Sequence, residues 1–345
     1  MTLQFLQTRY RGIVDSDSLP VEPDLSSTIL LWARPFLEGC LWINRRFRHV
    51  GDQDEALLYL AAWHFLMGDI AANADVLGDI GRLPAEKGLL RLDLEDFRAS
   101  PIAALAEETG IPRETVRRKA SGLVRRGVFL VRRDGTFQLA AVTTDILDLL
   151  QPAQAFGQWV LLIHGVPPSA LGQPRSVRSF GALVRHYLAA YLAQLRSRRI
   201  HTGAMSHVPV QVCLMLLHAL KVERRMALQG PPDRWDFPTF IEISRHLFDE
   251  PYYLRQVSDM AGLSLAFVRA SCRRLADLHG LVTLGEGDVL QIGGSKLNAA
   301  NVGDRRFYSR DVEQRLTVFA RRVFDRVARQ RLQRTGAPGS DPGPG

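Results

Sequence analysis

Between Ser100 and Leu139 the apolar residues recur first with a helical period and then with a strand period. Ile102, Leu105 and Ala106 share one face of a short helix. Val116, Ala120 and Leu123, spaced i, i+4, i+7, share one face of a second. Gly110 between them accepts positive φ at a sharp corner, Ile111 plugs the turn, and Pro112 suits a helix start because its missing N–H costs nothing there. Val128–Val131 and Phe137–Leu139 read as strands, with Asp134-Gly135 as a two-residue hairpin signal. The predicted order is helix, turn, helix, hairpin. Upstream, Leu30 to Arg46 reads as a helix with Leu31, Phe36, Leu37, Leu41 and Trp42 apolar, and Gln53 to Ile70 as another with Leu57, Leu60, Ala61 and Phe65. Residues 76–99 are mixed, with a short strand expected from Leu89 to Leu94.

The same pattern returns 152 residues later. Arg46, His49 and Gly51 correspond to Arg198, His201 and Gly203, and Leu60 to Val212. Ile102, Leu105, Gly110, Ile111, Val116, Arg117 and Leu123 correspond to Leu254, Val257, Gly262, Leu263, Val268, Arg269 and Leu275. One inserted residue then shifts Gly127 to Gly280 and Gln138-Leu139 to Gln291-Ile292. A run of matches at one offset, in one element order, predicts a tandem duplication. The expected fold class is mainly α with small β-hairpins (α+β), two copies in one chain.

Charge separates the copies. From Arg113 to Leu139 eight cations stand against Glu114 and Asp134, a net of +6. From Leu265 to Ile292, Arg269, Arg273 and Arg274 are balanced by Asp277, Glu286 and Asp288. Leu265 and Phe267 replace Arg113 and Thr115, as a protein contact, a thymine-methyl contact or part of the copy's own core.

With Ala106, Gly110, Ile111, Val116, Leu123 and Gly127 in place, the first copy resembles the winged helix-turn-helix of bacterial regulators. The resemblance covers about forty residues. It implies that the second helix enters the major groove and that the hairpin, the wing, lies against the backbone. On it, Arg113, Glu114, Thr115 and Arg118 are the expected base readers, and Arg117, Lys119, Arg125, Arg126, Arg132 and Arg133 the expected phosphate contacts. Arg269, Arg273 and Arg274 are the second copy's candidates.

Domain boundaries follow from composition. Residues 1–25 read as a flexible arm, 26–150 as the first repeat and 151–176, rich in Pro and Gly, as a linker whose apolar run Trp159–Ile163 docks on a domain. The second repeat covers 177–300, with its winged portion at about 252–292. A basic helix is expected over 301–334, its stripe of Leu316, Phe319, Val323 and Val327 packing on the body or on a second chain as a homodimer contact. Arg321, Arg322, Arg326, Arg329, Arg331 and Arg334 lie on its outer face, and residues 335–345 read as a disordered tail.

The 345-residue chain is 46% hydrophobic with a formal charge of +8, a balance that favours a polyanionic partner. Cys40, Cys213 and Cys272 are widely spaced and read as reduced, buried residues of a cytoplasmic protein. No secretory signal or membrane-length apolar run is read. Catalytic and metal constellations are not found: Gly293 to Lys296 lacks P-loop spacing, and nine histidines include no HExxH. His49 and His201 are expected at helix C-termini, and His64 and His218 in the core. No cofactor, metal or membrane partner is expected, and no enzyme activity. The expected function is double-stranded DNA binding as a single-chain pseudo-dimer in transcription regulation. The alternatives are a plasmid-type replication initiator, also with tandem winged helices, and a tandem winged-helix protein-interaction module.

Overall fold

Two long helices, one from each half of the chain, cross at the centre of the molecule. The computed structural model describes residues 33–73, 97, 99–141, 145–174, 176–202, 204–231, 237–247, 250–279, 282–292 and 310–335. Helix α1 (Arg34–Arg46) begins with a proline in its first turn and ends with Arg45 and Arg46, which suit the negative end of the helix dipole. A short 3-10 turn leads to α2 (Gln53–Asn73). Then come α3 (Ile102–Thr109), α4 (Arg113–Arg125) and the hairpin β1 (Phe129–Val131) and β2 (Phe137–Leu139). The turn α5 (Asp145–Asp148) precedes α6 (Leu150–Ile163). The second half runs α7 (Val177–Thr202), α8 (Val208–Gln229), α9 (Phe237–Leu247), β3 (Tyr252–Tyr253), α10 (Leu254–Ala261), α11 (Leu265–His279), β4 (Val282–Leu284) and β5 (Val289–Ile292). Helix α12 (Arg310–Thr335) follows. The molecule is therefore mainly α, with two small antiparallel sheets.

The long helices pair crosswise: α2 packs on α7, and α1 on α8. Apolar residues from Ala33 to Val327 join in one continuous core, including Leu105, Val116 and Leu123 of the first half and Val257, Val268 and Leu275 of the second. A satellite cluster, Val222, Met226, Phe240, Ile243 and Leu247, fixes α9 on the end of α8. The segment Met205–Gln229 is long and apolar enough to cross a membrane, where the sequence predicts no apolar run of that length. Its apolar window is 72% buried inside the chain, as a central core helix requires.

The two short-helix regions share local geometry. Both α3 and α10 end on a left-handed glycine, Gly110 at φ 68° and Gly262 at φ 62°. In each, the chain just before the first short helix pairs with the last strand: Ser100 bridges Phe137, and Tyr252 pairs with Leu290. The first hairpin differs from the expected two-residue loop. Gly135 N–H donates to Arg132 O at 2.9 Å and Arg132 N–H to Thr136 O at 3.0 Å, with Gly135 at φ 76°. Asp134 is not at positive φ, so the loop is a turn closed by a left-handed glycine, the G1-bulge form.

Two expectations concern packing. The expected linker 151–176 is largely a core element: α6 takes up its first half, with Ala153, Phe156, Val160 and Leu161 fully buried, and the run Trp159–Ile163 docks as expected. Phe156 stacks on Phe319 at 4.9 Å and meets Phe36 at 5.2 Å, tying α6 to α12 and α1. Pro152 falls in the first turn of α6, where a proline is tolerated, so the residue that suggested a linker begins a core helix. The α12 stripe of Leu316, Phe319, Val323 and Val327 is buried against the chain's own α6 and α7, the first of the two expected packings. Arg326 is half-buried, donating to Gly172 O at 3.4 Å, whereas Arg321, Arg322 and Arg329 are exposed. The side chains of Arg331, Arg334 and His201, the Leu89–Leu94 strand, Gly280, the arm and the tail lie outside the described residues.

Buried polar groups tie the core together as well, within and between the halves. His64 Nδ1 lies 3.2 Å from Arg185 O, and His218 bridges Tyr252 Oη and Ser244 Oγ at 2.9 and 2.7 Å. Burial depresses both imidazoles, His64 to about 4 and His218 to about 3, so both are neutral core residues. Between α1 and α8, Arg34 lies 3.6 Å from both Glu38 and Glu223. Burial raises the Glu223 carboxyl to about 7, against the pull of Arg34. A carboxyl raised in the folded state contributes its full stability below its unfolded pKa and loses it as pH climbs through the folded one. Glu223→Gln is therefore expected to melt like the parent at pH 4 and about 3 °C above it at pH 8. Thermal melts at the two pH values check this.

Candidate nucleic-acid interface

Helix α4 turns its apolar line, Val116, Ala120 and Leu123, into the core. Most of the remaining positions fall by helical geometry on two further lines, with Arg113, Arg117 and Val124 on another. Glu114, Arg118, Ser121 and Arg125 are all exposed and form an outward ridge. Thr115, Lys119, Gly122 and Arg126 form a flank toward the start of α2, where Lys119 pairs with Asp52 and Arg126 with Glu55 at 3.1 Å. Burial pushes the Asp52 carboxyl up, but the Lys119 ammonium and the Glu55 N–H outweigh it, leaving its pKa below the ordinary range.

The expected site residues thus fall into distinct groups. Arg113, Arg118, Arg125 and Arg133 are exposed and make no ion pair among the described residues. Glu114 and Arg117 pair with each other at 2.7 Å on the open surface, an arrangement that water screens heavily. Lys119 and Arg126 are engaged by carboxylates and Thr115 is half-buried, so these three face α2. Arg132 folds back, donating to Gln138 Oε1 at 2.7 Å and Phe97 O at 2.8 Å. Arg133 stands at the hairpin tip, beside Asp134, whose carboxyl the Thr136 hydroxyl and N–H hold below its ordinary pKa. Leu130 and Val131 are each 53% exposed, two of the five large apolar side chains in solvent among the described residues. Their adjacency on one hairpin makes this strand the apolar edge of the cationic surface.

The first short helix is anchored from the other half. Arg196 of α7 donates to Glu107 O at 2.6 Å and Glu108 O at 3.3 Å, capping the end of α3. It also pairs with Asp311, which accepts from Arg315 at 2.9 Å; Arg315 in turn grips Glu108 at 2.7 and 3.1 Å. Reciprocally, Arg48 of the first half donates to Ala261 O at 3.3 Å and Gly262 O at 3.5 Å, at the end of α10. Each short-helix pair is therefore capped by an arginine from the opposite half.

Comparison with known proteins adds nothing to this geometry: no family model, curated protein or solved structure matches the chain.

In the second half one of the three candidate cations is paired off by the hairpin. Arg269 grips Asp288 with both carboxylate oxygens, at 2.6 and 2.8 Å. Asp288 sits at φ 62°, the one non-glycine at positive φ among the described residues, and the next strand starts directly after it. Phe267 stacks on His207 at 5.6 Å, and Leu265 packs on the core, so both apolar replacements serve their own unit. Arg273 and Arg274 remain exposed. No group of three or more His, Cys, Asp or Glu with metal-ligand geometry occurs among the described residues.

The turn before α4 has little tolerance. Gly110 is left-handed, and a Cβ there would lie 2.8 Å from Arg196 Cγ. Gly110→Ala is expected to cost about 1–2 kcal/mol, with strain added where Arg196 must move. Chemical denaturation of the variant beside the parent measures it.

Proposed function

We propose that the chain is a double-stranded DNA-binding protein of the winged helix-turn-helix type, acting in transcription regulation, with the first unit as its reader. The observation that carries this reading is the open ridge of α4 beside the hairpin. Arg113, Arg118 and Arg125 along α4, and Arg133 on the adjoining hairpin, are exposed and have no carboxylate partner among the described residues. Four desolvation-ready guanidinium groups on one helix and its hairpin suit a phosphate backbone and guanine edges. Glu114 and Ser121 share the ridge and supply an acceptor and a hydroxyl for base edges.

The two units descend from a tandem duplication in this reading. The common 152-residue offset, the paired left-handed glycines and the crossed arginine caps support it. The molecule is then a pseudo-dimer folded from one chain, with an approximate two-fold relation between α1–α8 and α2–α7. Its heads are unequal. With Arg269 committed to Asp288, the second unit has less cationic surface to offer, and it serves chiefly as the platform that holds the first.

Mobility-shift titration over a salt series tests the reading. The full chain is expected to shift duplex DNA at low salt. Replacing Arg125 and Arg133 together with Ala should flatten the log–log salt slope by roughly 2, at about 0.9 per phosphate contact. Arg118→Ala should weaken binding to a preferred duplex by about 1–3 kcal/mol and relax the preference at one position. A full chain that leaves duplex DNA unshifted at low salt refutes the reading.

A further inference from the structure

The start of α2 carries a capping box whose two carboxylates each use both oxygens. Asp52 Oδ1 accepts from Glu55 N–H at 3.0 Å, and Glu55 Oε2 accepts from Asp52 N–H at 2.9 Å, which is the reciprocal box. The other two oxygens face α4. Asp52 Oδ2 takes Lys119 Nζ, and Glu55 Oε1 takes Arg126 Nη2 at 3.1 Å. Glu55 is largely buried, with its side chain 15% exposed, while Arg126 keeps 43%. The crevice is closed by glycines. A Cβ on Gly51, at φ +149°, would lie 2.9 Å from Arg126 Nη1, and one on Gly122 would lie 3.5 Å from Glu55 Oε1.

Lys119 and Arg126 lie two helical turns apart on one line of α4. Two anchors on one line of a helix fix its roll. A roll by one residue, about 100°, would carry the outward ridge of Arg118, Ser121 and Arg125 off the surface and bring the flank out. The anchors also pair off two cations that would otherwise attract any phosphate backbone regardless of sequence.

We propose that Asp52 and Glu55 are positioning residues for DNA recognition: through Lys119 and Arg126 they fix the roll of α4 and withhold those two cations from non-specific phosphate contact. This rests on the first unit being the DNA reader. Specificity is a ratio of affinities, and the device acts on both terms. It orients the reading ridge for the preferred site and lowers the electrostatic attraction to every other.

The test uses the full-length chain and a duplex recovered by it from a randomised pool, with a scrambled duplex as the competitor. Asp52→Asn with Glu55→Gln keeps the capping hydrogen bonds and removes the charge pairs. The ratio of affinities for the recovered and scrambled duplexes is expected to fall at least about tenfold. The salt slope on scrambled DNA should steepen by up to about 2 as Lys119 and Arg126 are released. Lys119→Gln with Arg126→Gln should lower the same ratio without that steepening. If the double carboxylate variant fails to fold, the single variants Asp52→Asn and Glu55→Gln carry the test, each expected to lower the ratio about threefold. An unchanged ratio in a carboxylate variant that melts like the parent overturns the proposal. So does a flattening of the recovered-duplex slope by about 2 in Lys119→Gln/Arg126→Gln, since these cations would then already touch phosphate. A parent chain that prefers no duplex in the pool defeats the DNA-reader reading itself, a result distinct from both.

Discussion

The close crossing of α2 with α7 is the constraint on which the other elements depend. Gly181 of α7 lies so near α2 that a Cβ would sit 3.2 Å from Ile70 Cγ2 and 3.3 Å from Met67 O. Around that approach Trp63, Phe180, Tyr187 and Tyr191 are wholly buried, and aromatic side chains of this size dominate the burial energy of a core. Because α2 belongs to the first half and α7 to the second, neither half buries its long helices without the other. Separating them would return this buried apolar surface to water, at about 25 cal/mol per Å².

That shared core settles where the short helices sit. The α3–α4 pair rests on α2 and reaches across to α7, so its C-terminal carbonyls meet Arg196 rather than water. The α10–α11 pair rests on α8, with α11 also against α7, and takes its cap from Arg48. Electrostatics then differentiates two similar scaffolds. In the first, arginines on the outer ridge have no carboxylate opposite them among the described residues, while those on the flank do. In the second, the hairpin aspartate reaches back to Arg269. A polyanion approaching the molecule meets a cationic edge on one unit and a compensated one on the other.

Much of this was legible in the sequence where a single local signal sufficed. The i, i+4, i+7 apolar line of α4 and the left-handed glycines at 110 and 262 have their counterparts in the fold. Periodicity and turn chemistry are local, so they survive without tertiary knowledge. What depended on partners distant in the chain was not legible. Lys119 and Arg126 counted as cations in a basic run, yet Asp52 and Glu55 meet them from 67 and 71 residues away. Pro152 and the glycines after it suggested a linker because composition does not reveal that Phe156 finds Phe36 and Phe319. The apolar stripe of α12 was equally compatible with a neighbour in the same chain or in another until the packing of Phe319 on Phe156 and Tyr187 was known. Asp52 and Glu55 did carry one readable signal, the acid-x-x-Glu spacing of a capping box before an apolar helix. Their second role lay in the oxygens that the box leaves over.

The central claim, that one exposed edge of the first unit meets DNA while the corresponding edge of the second does not, is most directly tested by mapping arginine reactivity. A dicarbonyl reagent that modifies accessible guanidinium groups is applied to the full chain with and without saturating duplex DNA, and each site is quantified by mass spectrometry. Protection is expected at Arg113, Arg118, Arg125 and Arg133, with Arg273 and Arg321 as reactive in the complex as without it. Undiminished reactivity at the first four, or protection confined to Arg273, Arg274 and the α12 arginines, would contradict it.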